Sequence, residues 1–354
     1  MKKSFFLSIL AVGALVACSK SEVVETSFDN AIKFDNYVGR DAQTKAAVVS
    51  GVTSVNVNAW LHEKGAAATG FEANFMENQA VTKSGETWTY TPAKFWPNEL
   101  QAVSFVGWVE NVNATVNDAN LDFVVPADAK AQTDLLVSNP VLNQNGGTVN
   151  LNFKHLLSRI GFEITGSSIP TDATDAPAEN VVKLVSVVLN GTFANYGNVN
   201  MTVGTDEAPV AITAADVPTN AAEGATKTTT NYTLTGTHFG LSDGRILNAT
   251  YKTADEDSYL MIIPDQNAPT NITVTYKIIT GGNEASAIEN VKVFSLQPTG
   301  EGAETFAYKA GKAYLYKFYI ELDQITFSVE ETDWVDETPV DINPEDKPEE
   351  TPGA

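Results

Sequence analysis

VNLNFKHLLSRIGFEI, residues 149–164, decides how the rest of the chain is read. In its first half Val149, Leu151 and Phe153 alternate with Asn150 and Asn152; in its second, Ile160, Phe162 and Ile164 alternate with Gly161 and Glu163. A period of two places the apolar residues on one face of an extended strand and the polar ones on the other. His155–Arg159, between the two runs, has room for a single helical turn. The stretch therefore reads as two strands meeting at a domain junction near residues 155–160.

The same pattern continues in both directions. Val52, Val55 and Val57 lead into Ala59–Leu61, followed by Thr87–Thr91, Val103–Val109, Leu121–Val125 and Asp134–Ser138. Beyond the junction come Val181–Leu189, Val199–Val203, Tyr232–Leu234, Tyr259–Ile263, Ile272–Ile279, Val291–Leu296, Tyr314–Leu322 and Ile325–Val329. Short runs of β-branched and aromatic residues between Asn, Gly, Asp and Pro clusters are the mark of sandwiches and barrels. The fold class read here is all-β, in two domains: residues 28–157 and 158–334. Ile212–Thr230, rich in Thr, Ala and Asp, reads as a surface loop or insertion.

Composition narrows the function. A formal charge of −22, with 44 acidic against 22 basic residues, argues against nucleic acid or an anionic membrane surface as partner. Ten of the acids, against one lysine, fall between Glu330 and Ala354, and residues 335–354 also carry four prolines. That segment reads as a flexible, acidic tail. The hydrophobic fraction of 43% suffices for a packed core, and the single cysteine leaves no disulfide to support it.

That cysteine has a context of its own. Lys2 and Lys3 precede an apolar run from Phe5 to Val16, and LVAC (Leu15–Cys18) ends in the cysteine. The layout is that of a signal peptide over residues 1–17. LVAC resembles a bacterial lipobox, which implies that Cys18 becomes the lipidated first residue of an exported protein, carrying acyl chains such as palmitate. Residues 18–27 read as a polar tether.

Several further segments, taken in order, carry a resemblance. They are AIKFDNYVGR (31–40), WTYTPAKFWPN (88–98), QTDLLVSNPV (132–141) and the opening stretch, then YLMIIPDQ (259–266), ITVTYKI (272–278), AGKAYLYKFYIEL (310–322) and ITFSVEETDW (325–334). The ordered set resembles the fimbrillin-like proteins of the Bacteroidales, within the type V pilin superfamily. The resemblance implies two tandem transthyretin-like β-sandwich domains. It also implies a lipoprotein precursor at the outer membrane that becomes a subunit of a cell-surface fimbrium. A trypsin-like protease would cut after a basic residue, Arg40 here with Lys45 as substitute, and release an N-terminal strand. A donor strand from a neighbouring subunit would replace it.

The residues support such a strand independently. Ile32, Phe34 and Val38 share one face of Ala31–Val38, with Lys33, Asp35 and Tyr37 on the other. Removing it would expose an apolar groove and unpaired backbone groups receptive to another strand. Ile325, Phe327 and Val329 form a matching alternation that reads either as a donor or as the last strand of the C-terminal sandwich. The partners expected are other fimbrial subunits, the outer membrane through Cys18, and host or bacterial surface ligands. The competing reading is a surface adhesin or glycan-binding lipoprotein that does not polymerise.

Catalytic chemistry finds little support. His62, His155 and His238 lie far apart, without zinc-ligand spacing, and no nucleophile elbow or phosphate loop is present. His155, among apolar residues, reads as a structural histidine. Asp255, Glu256 and Asp257 offer carboxylates to a hard cation but lack the spacing of a calcium loop. Trp88, Tyr90, Phe95 and Trp96 read as core or corner residues in preference to a sugar platform. No cofactor, metal or enzymatic activity is expected.

Overall fold

The computed structural model describes residues 30–38, 52–66, 74–85, 87–117, 119–166, 180–205, 208, 210–215, 228–241, 244–246, 250–252, 259–264, 269–280, 283–297, 306–320 and 325–333. These residues form strands and short 3-10 turns, with no α-helix among them. In the N-terminal half the strands are β1 (Lys33–Val38), β2 (Ser54–Glu63), β3 (Met76–Ser84), β4 (Thr87–Thr89), β5 (Gln101–Trp108), β6 (Ala114–Asn117), β7 (Asn120–Val124), β8 (Leu136–Ser138), β9 (Val141–Gln144) and β10 (Thr148–His155). Then come β11 (Ser158–Gly166), β12 (Asn180–Ala194), β13 (Tyr196–Asn200), β14 (Ile212–Ala214), β15 (Thr228–Leu234) and β16 (Arg245–Ile246). The chain continues through β17 (Thr250–Lys252), β18 (Leu260–Ile262), β19 (Asn271–Thr280), β20 (Ile288–Ser295), β21 (Lys312–Ile320) and β22 (Ile325–Asp333).

Four sheets result. The largest runs β1-β10-β8-β5-β2-β3-β4, with β9 also on β5. It encloses a core of Val55, Val57, Val81, Phe105, Leu151 and Phe153 among others, joined by Ile32 and Phe34 from the N-terminus. Sheets β17-β11-β21-β22 and β15-β12-β19-β20 face each other as a two-layer sandwich. Its core is Ile160, Phe162 and Ile164 with Tyr314, Tyr316 and Phe318 on one layer, and Leu184, Val187, Leu189 and Val274 on the other. The alternation seen in the sequence thus fills an interior, as period-two patterning requires.

The fourth sheet, β14-β13-β7-β6, joins strands from both sides of residue 157. The fifteen-residue β12 carries the chain across, so that β13 pairs with β7 (Tyr196 opposite Val124, Val199 opposite Leu121). A second core lies beneath it, built from Trp60, Val106, Trp108, Phe123, Leu156, Leu157, Val199 and Ile263.

The QTDLLVSNPV segment fastens these layers. Gln132 accepts the Met261 N–H at 2.6 Å and donates to the Pro126 carbonyl at 2.8 Å. The Ser138 hydroxyl accepts the Gly107 N–H at 2.8 Å, and Asn139 accepts the Val210 N–H at 2.9 Å. Buried polar groups that are bonded in this way fix register where apolar packing alone would tolerate slippage.

Two sequence expectations change. His155–Arg159 holds no helical turn: β10 ends at His155, β11 starts at Ser158, and Leu156 and Leu157 between them are buried in the second core. Burying two adjacent leucines outweighs any local helical preference. Ile212–Thr230 is not simply a surface loop, because its ends form β14 and the start of β15, and Ile212 is buried.

Candidate functional site

Strand β1 begins from two antiparallel ties. Ala31 bridges Phe95, the Ile32 N–H donates to the Lys94 carbonyl at 2.9 Å, and the Trp96 N–H donates to the Asn30 carbonyl at 3.1 Å. From Lys33 onward the chain turns to its other neighbour and runs parallel to β10. Lys33 lies opposite Thr148, Phe34 opposite Val149 and Val38 opposite Phe153. β1 is terminal in the strand order, held by one ladder along its length.

The side chains follow the alternation of the sequence. Ile32 is 2% exposed and Phe34 5%, whereas Lys33 and Asp35 are exposed. Phe34 meets Tyr90 edge-on at 5.4 Å and Phe105 edge-on at 5.8 Å between ring centroids. Trp96 closes the far side, edge-on to Phe105 at 5.9 Å. Edge-to-face packing of this kind adds to the area term. Burying one isoleucine and one phenylalanine contributes about 3–6 kcal/mol before ordering costs.

Tyr90 ties the slot to the strand. Its hydroxyl donates to the Ile32 carbonyl at 3.0 Å, with the Lys94 carbonyl a competing acceptor at 3.3 Å, and accepts the Lys94 N–H at 3.3 Å. Burial pushes the Tyr90 phenol up from its ordinary value, partly offset by the Lys94 N–H. The group is a neutral hydrogen-bonding clamp at physiological pH. What this arrangement can do chemically is hold an extended peptide with alternating apolar residues, through backbone pairing for affinity and pockets for register.

Of the remaining sequence-derived residues, some lie outside the described ones and others on separate elements. Cys18, Arg40 and Lys45 lie outside the described residues, as does Asp255–Asp257. Val38 is placed by its register on β10. Ile325, Phe327 and Val329 lie on β22, which pairs with β21 along its full nine residues, from Ile325 opposite Ile320 to Asp333 opposite Lys312. Phe327 stacks on Phe318 at 5.2 Å and on Tyr316 at 5.9 Å, so β22 sits at the edge of its own sandwich. Of the aromatic cluster, Trp96 is buried, Trp88 and Tyr90 pack against the N-terminal core, and Phe95 faces solvent.

The three histidines stay apart. His62 bonds the Ser104 hydroxyl at 2.8 Å, His155 bonds Asp134 at 2.6 Å, and the ring of His238 accepts the Thr235 N–H at 3.0 Å. Among the described residues no group of three or more His, Cys, Asp or Glu is placed to hold a metal ion. Sequence reasoning missed the Tyr90 clamp and the Gln132–Met261 tie. Neither leaves a signal in spacing, since each joins segments separated by 58 and 129 positions respectively.

The chain is similar to known proteins over most of its length. A fimbrium subunit, Fim1C of Phocaeicola vulgatus, is 22% identical over 396 aligned positions, covering 98% of this chain and all of the relative. A crystal structure of a fimbrial protein from Bacteroides vulgatus superposes with a TM-score of 0.57 at 17% identity, covering 86% of this chain and 99% of that one. A cell adhesion protein structure from Bacteroides uniformis gives a TM-score of 0.48 at 16% identity, covering 87% of this chain and 100% of the other. Residues 44–334 match the family described as fimbrillin-like, a span that starts just after β1 and ends just after β22. With that match extending over most of its length, the chain belongs to the fimbrillin-like family of fimbrial proteins.

Proposed function

We propose that this protein is a structural subunit of a cell-surface fimbrium, assembled by exchange of its N-terminal strand. It is delivered as a lipoprotein through Cys18, cut after Arg40, and loses β1 to a strand from a neighbouring subunit. The domains acting in this scheme are residues 28–157, which hold the slot, and 158–334, followed by the acidic tail 335–354.

One observation carries the reading: Ile32 and Phe34 are buried in a core whose other walls belong to β2, β5, β10 and Trp96. A strand that fills a core while sitting at the end of a sheet leaves a ready-made slot when it departs. Parallel pairing is slightly less stable per residue than antiparallel pairing, which favours this edge for exchange. Exposed apolar surface and an unpaired edge then drive capture of a replacement. The alternation of Ile325, Phe327 and Val329 gives β22 a donor pattern, at the expense of its pairing with β21.

The experiment is limited digestion of the full-length protein with a trypsin-like protease. The expected result is a single early cut after Arg40, followed by oligomers that survive detergent. A cut protein that stays monomeric at high concentration overturns strand exchange while leaving family membership intact.

A further inference from the structure

Strand β20 is a sheet edge that lacks the protection given to the others. It ends the order β15-β12-β19-β20 and pairs with β19 in unbroken register, from Ile288 opposite Ile278 to Ser295 opposite Asn271. Its far edge carries no ladder among the described residues. Proteins blunt such edges, because unpaired N–H and C=O groups recruit further strands. The other terminal strands here are blunted. β4, β14 and β17 have three residues each and β6 has four. The ladder of β15 shifts register at Asn231, whose φ is +59°. β22 carries Glu330, Glu331 and Asp333, and the 94–96 segment covers the start of β1. β20 instead is long, regular and apolar: Ile288 is 64% exposed, Val291 55% and Val293 62%.

Charge and register identify what fits it. The chain carries −22 overall, so two copies repel each other over most of their surface. β20 is neutral, with Glu289 and Lys292 as its charged residues, and Glu289 meets Lys277 at 3.5 Å. Thr273 and Thr275, opposite Val293 and Val291 on β19, are also uncharged. Phe294 packs against the sandwich core, so Ile288, Asn290 and Lys292 share its side, while Glu289, Val291 and Val293 face outward. Directly opposed residues of an antiparallel pair lie on the same face. A two-fold axis at Val291, perpendicular to the sheet, meets that condition. It sets Val291 against its own copy, Val293 against Glu289, Asn290 against Lys292 and Ile288 against Phe294. No like charges are opposed, and an apolar pair closes each end. An axis at Glu289 or at Lys292 opposes like charges, and one at Asn290 sets Lys292 against Ile288.

We propose that β20 is a contact between two copies of this protein, paired antiparallel across a two-fold axis at Val291. The sheet β15-β12-β19-β20 then continues into its copy. Eight residues a side make a small interface, so the dimer is weak in solution, and copies arrayed along neighbouring fibres would add such contacts together. The contact lies in the C-terminal sandwich, away from the β1 slot, and operates whether or not strand exchange occurs.

The test is sedimentation of the uncleaved protein, which retains β1, over a concentration series. The expected result is a reversible monomer–dimer equilibrium, with amide exchange in β20 slowing as concentration rises. Val291→Lys and Val291→Glu each oppose like charges across the axis and should each weaken the dimer by about tenfold or more. An equimolar mixture of the two should restore it, because opposite charges then face each other. Residue 291 is exposed, so both variants should keep the wild-type unfolding midpoint, and the exchange measurement needs no variant at all. A protein that is monomeric throughout overturns the proposal. So does a dimer that both variants leave unchanged, or one that mixing does not restore. Dimers that form only after residues 335–354 are removed would give the edge to the chain's own tail, and overturn it as well. Cleavage after Arg40 plays no part in any of these outcomes, so failure here leaves the fimbrial reading standing.

Discussion

The Tyr90 hydroxyl meets the Ile32 carbonyl at 3.0 Å, joining the segment after β4 to the residue that leads into β1. This single bond spans the two edges of the N-terminal sheet, because β1 and β4 are its terminal strands. Removing it tests how firmly β1 is seated. Tyr90→Phe should cost about 1 kcal/mol in chemical unfolding of the uncleaved protein. Because the bond anchors the residue that leads into β1, amide exchange in β1 should rise more than in β12 or β19.

Phe34 supplies the larger part of the hold. Phe34→Ala removes both edge-on contacts, with Tyr90 and with Phe105, and opens a cavity in the N-terminal core. The expected destabilisation is about 3–5 kcal/mol if the core unfolds as a unit. Mass-resolved hydrogen exchange should locate the effect in β1 and β10 first, since these two strands share the ladder from Lys33 to Val38.

At the other end, apolar packing outweighs the charged ladder. β22 carries Glu330 against Lys317 at 2.6 Å, with Asp333 paired to Lys312 and Glu331 to Lys309, all on solvent-exposed faces. Such pairs contribute about 0–1 kcal/mol each. Phe327, stacked on Phe318 and Tyr316 and 5.1 Å from Phe294, anchors the strand from within. Phe327→Ala should therefore destabilise the C-terminal sandwich by about 2 kcal/mol or more, and Lys317→Ala by less than about 1. Urea unfolding of the two variants distinguishes them.

Alkaline titration should also unfold the C-terminal half. Tyr308 and Tyr316 lie 2.9 Å apart, hydroxyl to hydroxyl, inside the sandwich. Burial, reinforced on Tyr308 by its tyrosine neighbours, pushes both phenols well above their ordinary value of 10.0. Below that pH both states hold their protons and stability is unaffected. Above it the unfolded chain releases protons that the folded chain retains, so stability falls as pH rises. Tyr308→Phe should make that fall less steep, as followed by denaturant midpoints measured upward from pH 9.

Much of this architecture was legible in the sequence. The alternation of Val149, Leu151 and Phe153, and of Ile160, Phe162 and Ile164, identified strands whose apolar faces fill two different cores. Ile32 and Phe34 carried the same signal. Other strands left little trace. β3, MENQAVTKS, buries only Met76 and Val81, too few apolar residues to reveal a period. β6 is four residues long. The parallel register of β1 on β10 and the pairing of β7 with β13 depend on long-range closure, which local pattern does not encode.

The claim that matters most is that the place of β1 can be refilled. It is tested by preparing the protein from Asp41 onward, without β1, and titrating it with a labelled peptide of residues 30–38. Saturable binding at one peptide per protein, which blocks detergent-resistant assembly and is lost when Ile32 and Phe34 of the peptide are replaced by serine, is the predicted result. A protein that remains folded and monomeric from Asp41 and ignores the peptide would contradict it.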